Sequence, residues 1–431
     1  MTMIIKLLLV LLLLVSTLGS QAAPLQPGVP RGAAPVAAPA APFNVEAATQ
    51  AYLTTLTPAK KAKSDAYFEG GYWLELWDVL YAVGVAAVFL RAGLSRRLKA
   101  LVARLPRQWL RTLAYAMFYL LLAWALSFPL SAYTGYFREH QYGLSNQTFG
   151  QWLGEELTGL GLLLVVGSLL ILALYAAVRW AGRRWWAWGT GGAAVAIVLG
   201  IFAGPVFISP LFNKSTPLPA SPVRSAILSM ARANGVPADN VYLVDASRQT
   251  KRISANVSGL GSTIRVSLND NLLARCTPQE VQAVMGHELG HYVLNHISKM
   301  VVFFVLIIGV GFWVVDGAFR WLVARYGPRW HVADLADVGG LPLLVVLFSG
   351  YLFLATPVFN TIIRTNEQEA DLFGLNAARQ PDGFASIAMK LSEYRKIDPT
   401  PLEEIIFFDH PSGHTRVHAA MRWKAEHLNE K

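Results

Sequence analysis

The chain has 431 residues, 54% hydrophobic and only 15% charged, with a formal net charge of +10 and a mean hydropathy of +0.39. That is too little charge to cover a water-facing surface of this size, which excludes an ordinary soluble protein and suits a chain with lipid on several sides. The single cysteine, Cys276, excludes an intramolecular disulfide and a thiolate cluster, so any metal site must draw on His, Asp and Glu.

Residues 1–22 read as a secretory signal, with an uncleaved anchor helix as the alternative. Lys6 precedes an apolar run from Leu7 to Val15, and Ser20-Gln21-Ala22 offers a small-x-small cleavage site. Ala23–Pro42 is Pro/Ala-rich without hydrophobic periodicity and reads as a spacer, with a lead-in to residue 60. Six apolar segments follow, near Tyr72–Ala92, Leu110–Tyr133, Leu157–Arg179, Trp185–Ile208, Met300–Trp321 and Leu341–Ile363. Each is close to the ~20 residues that an α-helix needs to cross a bilayer. They divide the chain into a membrane domain of four spans (61–208), a polar catalytic domain (209–299), two further spans (300–363) and a C-terminal catalytic segment (364–431).

The basic residues sit mostly in short loops beside these segments, which is a topology pattern and not a nucleic-acid patch. Arg91, Arg96, Arg97, Lys99, Arg104 and Arg107 fill the first loop, Arg183 and Arg184 the third, and Arg320, Arg325 and Arg329 the fifth. With the positive loops in the cytoplasm, the domain Ser209–Lys299 and the C-terminus face the other side, as would an exported N-terminus. Inside the fifth segment, Asp316 either faces a cavity or makes a helix-packing hydrogen bond.

In the polar domain, Ser221-Pro222 opens a helix that ends at Gly235, and strands are expected at Val241–Val244 and Thr263–Leu268. Gly259-Leu260-Gly261 lacks a third glycine and a following helix, so it reads as a turn and not a nucleotide loop. Thr277-Pro278-Gln279-Glu280 is a capping box that opens the next helix. That helix carries His287-Glu288-Leu289-Gly290-His291. Residues four apart share a helical face, so His287 and His291 can offer two imidazole nitrogens to one zinc ion while Glu288 reaches a water beside them. The third ligand of a two-His, one-carboxylate site is expected from Glu367, just past the last span, with Asp371 one turn later to orient a ligand histidine. Glu369, on another face of that helix, reads as structural.

HELGH followed by Arg364-Thr365-Asn366-Glu367-Gln368-Glu369-Ala370-Asp371 resembles the type I CAAX prenyl endopeptidases, integral-membrane zinc metalloendopeptidases of the gluzincin kind. The resemblance extends over Glu139–Phe149, Ile208–Leu218 and Thr250–Gly261, and ends on His410-Pro411 with Arg416. It implies a mainly α, polytopic membrane protein with six or seven transmembrane helices around a chamber and a zincin-like catalytic domain carrying a small β-sheet. It also implies one zinc ion per chain, Arg364 in the network supporting Glu367, Arg416 near the site, and His410 stabilising the oxyanion. The family's substrate-binding edge strand corresponds to Ser254, Ala255 and Asn256, where relatives usually have Asn-Ala-Tyr.

The reading is therefore a zinc endopeptidase acting on a peptide or protein substrate, lipidated or not, in a lipid bilayer and without nucleic acid. Its expected place is a bacterial inner membrane with the active site on the periplasmic side. Two rivals stand beside it. One is quality-control proteolysis of membrane or exported proteins by the same chemistry. The other is a multi-span transporter-like protein with a structural zinc site, which would normally be closed by four protein ligands.

Overall fold

The computed structural model describes residues 43–258 and 264–429. The signal or anchor segment, the spacer to Pro42 and the Gly259–Gly261 turn lie outside the described residues.

Among the described residues, five helical runs are long and apolar enough to cross a membrane: Pro58–Leu90, Gln108–Gln141, Phe149–Phe212, His296–Trp330 and Val338–Ala378. The third has 64 residues, about three times the ~20 that span a bilayer. It turns at Gly182, where φ is 55°, a left-handed value at which glycine has no Cβ to clash. The helices on either side, Ser168–Ala181 and Trp185–Ala203, pack against each other, so this run supplies two of the six expected spans. Their outer faces are apolar and exposed, as at Trp77, Leu126, Leu199, Trp313 and Leu354, which is what a lipid-facing surface requires.

The helices that position the site are α1 (Val45–Leu53), α2 (Pro58–Leu90), α3 (Pro278–Val293), α4 (His296–Trp330), α5 (Leu341–Ala378), α6 (Pro381–Leu391), α7 (Pro401–Phe407) and α8 (Gly413–Glu426). Strands β1 (Ser215–Pro217), β2 (Val241–Val244), β3 (Ala255–Ser258) and β4 (Arg265–Asn269) form one sheet in the order β1-β2-β4-β3. β2 and β4 are parallel, the other two pairs are antiparallel, and β3 is an edge. The expected helix after Ser221 runs from Pro222 to Ala233, with Ser221 accepting at its N-cap.

The two ends of the bundle differ in kind. At one end Lys99 pairs with Asp337 at 2.6 Å, Ser95 donates to the Gly339 carbonyl at 2.8 Å, and Arg179 reaches the Ala336 carbonyl at 3.4 Å. This gathers the first and fifth loops with the end of the third expected span. At the other end α1, which precedes the first span, packs on α6 and α8, which follow the last. Thr49 is fully buried there, and Asp382 accepts from Tyr52 at 2.9 Å and pairs with Lys424 at 2.6 Å. Within the bundle, Asp316 accepts from Trp185 Nε1 at 2.6 Å and pairs with Arg320 at 2.9 Å, so of its two readings the packing one describes its contacts.

Helix α3 is central to the polar domain because apolar residues cover it from two sides. Val281, Met285 and Leu289 pack into the core of the sheet with Val241, Val257, Val266 and Leu268. Ala283 faces a second core formed by Phe384, Ala385, Val417 and Met421. Its start is the expected capping box: Thr277 N–H donates to Glu280 Oε2 at 2.7 Å, and Glu280 N–H to Thr277 Oγ1 at 3.4 Å.

Helices α3 and α5 cross at backbone distance. A Cβ added to Gly374 would lie 2.7 Å from the His287 backbone nitrogen, and one added to Gly286 only 3.0 Å from the Gly374 carbonyl oxygen. Gly374→Ala must push the helices apart, so we expect a loss of about 1–3 kcal/mol in stability, with weakened metal retention. A thermal melt and a metal determination on the purified variant test this, and wild-type values in both would refute the requirement for close approach.

Candidate metal centre

His287 and His291 lie on α3 and Glu367 on α5, and each offers a donor atom within 4.8 Å of the others. The closer distances are more telling. His287 Nε2 stands 3.1 Å from His291 Nε2, and the two nitrogens stand 3.2 Å and 3.3 Å from the oxygens of Glu367. Donors arranged tetrahedrally around an ion at ~2.0–2.1 Å stand about 3.3 Å apart. The two-His, one-carboxylate set therefore fits a tetrahedral metal ion with one position left for another ligand. Among the described residues no group is angled to hydrogen-bond the buried Glu367 Oε2, although His287 Nε2 and His410 Nε2 are both 3.2 Å away. A buried carboxylate oxygen without a donor calls for a cation.

The surroundings hold the rings in place. His287 Nδ1 lies 2.8 Å from Asp371 Oδ1, and Arg416 donates to the same oxygen at 2.5 Å from its buried position on α8. Asp371 thus lies against the His287 ring and is itself paired with Arg416. His410 lies on the loop between α7 and α8, with Asp409 Oδ1 2.8 Å from its Nδ1. Arg364 makes its hydrogen bonds to the backbone carbonyls of Glu404 and Phe408, both at 2.6 Å, so it secures the loop bearing His410 and does not contact Glu367 directly. Asn360, one turn earlier on α5, holds the Ile406 carbonyl of the same segment at 2.7 Å. Asn360, Arg364, Glu367 and Asp371 form one stripe on α5, at the spacing of a single helical face.

Ser254, Ala255 and Asn256 lie at the start of the edge strand, with Ala255 opposite Leu268 and Asn256 opposite Ser267 on β4. β3 also packs on α3, so the sheet edge and the ligand helix are neighbours. Near these donors the sequence reading named neither His296 nor Lys299, and it read Glu369 as structural. His291 Nδ1 stands 2.9 Å from His296 Nδ1, and His296 Nε2 stands 3.0 Å from Glu369, which also pairs with Lys299.

Burial pushes the Glu288 carboxyl above its ordinary range, against the pull of the His287, His291 and His410 rings and with help from Glu367. Its basicity is thereby raised, as a proton acceptor at this position would need. Burial works against a charged ring at His287, but the close carboxylates of Asp371 and Glu367 outweigh it and raise that group to about 10.

The chain as a whole matches known proteins along most of its length. Residues 217–424 match peptidase family M48, and residues 45–214 match the CAAX prenyl protease N-terminal region, described as five membrane helices. The uncharacterized metalloprotease YhfN of Bacillus subtilis is 28% identical over 376 residues, 85% of this chain and 88% of that protein. CAAX prenyl protease 1 of Saccharomyces cerevisiae is 27% identical over 313 residues, 68% of each chain. The crystal structure of S. mikatae Ste24p has the same fold, with a TM-score of 0.69 at 21% identity over 88% of this chain and 94% of that one.

In protein stripped of metal, a His287 ring raised to about 10 stays protonated at neutral pH. A metal ion must displace that proton, so affinity should rise about tenfold per pH unit between pH 7 and 9. The stability that the charged ring gives the stripped protein runs the opposite way: it is complete below about pH 6.5 and lost as pH rises through about 10. Chelator competition across that interval measures the first effect, and a flat affinity would exclude His287 as a protonated ligand.

Proposed function

This chain belongs to the CAAX prenyl protease family of M48 peptidases and is an integral-membrane metalloendopeptidase, and we propose that its metal is zinc, held by His287, His291 and Glu367. The observation that carries this is the set of 3.1–3.3 Å separations among the three donor groups, contributed by two helices. A donor set of two imidazoles and one carboxylate is that of hydrolytic zinc sites, which leave one coordination position open. It disfavours a structural site, where four protein ligands would close the ion.

When bound, zinc supplies Lewis acidity, lowering the pKa of water towards ~7 and polarising a carbonyl. The remaining work falls to side chains. Glu288 takes the proton of the attacking water and returns it to the leaving amine. His410, braced by Asp409 and a loop tied down by Arg364, donates to the oxygen on which negative charge develops. Asp371 and Arg416 keep His287 oriented. The outer edge of β3 at Ser254, Ala255 and Asn256 pairs with an extended peptide by β-addition. Asn256, in place of the family's tyrosine, changes the side-chain contacts without removing this backbone edge.

The relatives' names attach prenyl-protein cleavage to those proteins. For this chain we favour peptide segments of membrane or exported proteins, because loop charges place the catalytic elements away from the cytoplasm, on the periplasmic side of a bacterial inner membrane. The packing of α1 on α6 and α8 is consistent with this, since it puts α1 and the C-terminal segment on one side, as an even number of spans between them requires.

Glu288→Gln should keep zinc at wild-type stoichiometry and reduce peptide cleavage by about 10²–10⁴-fold. Metal analysis and cleavage of a quenched peptide by the purified protein read both quantities, and undiminished cleavage would remove Glu288 from the reaction. A reporter fused to the C-terminus should be active only outside the cytoplasm; cytoplasmic activity would overturn the orientation.

A further inference from the structure

We infer that His296, anchored by Glu369, is the positioning residue that fixes the ring of His291 in the tautomer able to bind metal. The inference rests on the reading of His291 as a ligand through Nε2. That role requires the ring proton to sit on Nδ1, and the atom facing Nδ1 is His296 Nδ1, at 2.9 Å. The direction of donation is set by the far end of the chain. Glu369 Oε2, 3.0 Å from His296 Nε2, is a carboxylate oxygen and can only accept, so His296 Nε2–H donates to it. In the neutral ring Nδ1 is then an acceptor and receives the proton of His291 Nδ1. Donation runs from His291 to His296 to Glu369, and Lys299, 2.8 Å from the same Glu369 oxygen, compensates the terminal charge. His291 Nε2 is left with its lone pair towards Glu367 and His287.

The two ligand histidines are thus held by different means. His287 is backed directly by a buried carboxylate, Asp371, itself paired with Arg416. His291 is backed through a second imidazole whose own carboxylate is at the surface, Glu369 being 45% exposed at its side chain. This arrangement depends on a break in the chain. Five residues further along a continuous helix, a side chain would point about 140° away from His291. Asn295 instead adopts φ 55° and ψ 35°, a left-handed conformation that asparagine tolerates better than most residues, between the end of α3 and the start of α4. The turn brings His296 behind His291, fully buried, with the two rings edge to face at 5.1 Å.

A ring that merely fills space would give the same burial, so the test separates acceptor from volume. Zinc affinity of the full-length protein is measured by chelator competition in detergent for wild type, His296→Phe, His296→Asn and His291→Ala. Phenylalanine keeps the ring volume but offers no acceptor, and should weaken zinc binding about 10–100-fold. Asparagine can place its Oδ1 where the imidazole Nδ1 stood, and should remain within about threefold of wild type. Wild-type affinity in His296→Phe, or loss in His296→Asn with retention in His296→Phe, would overturn the inference and leave packing as the role. If His296→Phe does not fold, Glu369→Leu at the exposed end carries the same test: about tenfold weaker binding is expected, with Glu369→Gln near wild type. Unchanged affinity in Glu369→Leu would then overturn the relay. His291→Ala guards the premise, because undiminished zinc binding in that variant would refute His291 as a ligand and not the relay alone.

Discussion

Helices α3 and α5 meet with no side chain between their backbones, and the spacing of the donor groups follows from that contact. Gly286 and Gly290 on α3 each stand one position before a proposed ligand, against Ala370, Gly374 and Ala378 on α5. Glu367 and Asp371 are one turn apart on the same helix. Because the backbones touch, the short reach of the Glu367 side chain is enough to bring its oxygens to 3.2–3.3 Å from both imidazoles. The apolar cores on either side of α3 hold it against α5 from behind. Packing and donor spacing are one constraint here, since a shift in the crossing would carry Glu367 away from both histidines at once.

The second consequence is electrostatic. Glu367, Asp371, His287 and Arg416 are all buried, and charges in such a place are strongly unfavourable unless opposed. Asp371 is opposed by Arg416. Glu367 is opposed chiefly by the rings of His410, His291 and His287, and no group among the described residues is angled to hydrogen-bond its Oε2. The same carboxylates hold a proton on His287 up to about pH 10. A site that retains a proton so strongly is one prepared for positive charge, and a divalent cation meets that demand while leaving the rings neutral.

How much of this was legible in the sequence depended on whether the information was periodic. The capping box at Thr277, the HELGH helix, the carboxylate stripe of Glu367 and Asp371, and the apolar segments all follow from spacing on a regular helix, and each is found where the spacing puts it. The partners of Arg364 were not legible, because they are backbone carbonyls 40 and 44 residues away and leave no side-chain signature. His296 was missed because the left-handed Asn295 breaks the helical count between it and His291. Glu369 was set aside for the related reason that it lies off the ligand face of α5, and only the start of a different helix gives it a partner. The contacts of Asp316 could not be chosen from sequence, since both readings require the same residue in the same span.

The edge strand shows how the membrane region shapes the catalytic one. Upstream of β3 the sheet edge is occupied: Lys251 N–H donates to the Leu144 carbonyl at 2.9 Å, Asn146 N–H to the Gln249 carbonyl at 3.0 Å, and Ser145 bridges Thr250. Arg252, next in line, is drawn to Glu139 at 2.9 Å. Residues 139–146, at the end of the second helical run and just after it, therefore cover the edge as far as Arg252, and among the described residues no strand pairs with the outer side of Ala255–Ser258. A free edge of four residues can accept a short extended segment through its backbone groups, but it has no surface on which to dock a folded domain. On the proposed reading this favours locally unfolded chain: the segment between spans blocks one end of the strand and leaves unpaired the half-buried stretch at Ala255 and Asn256, beside α3.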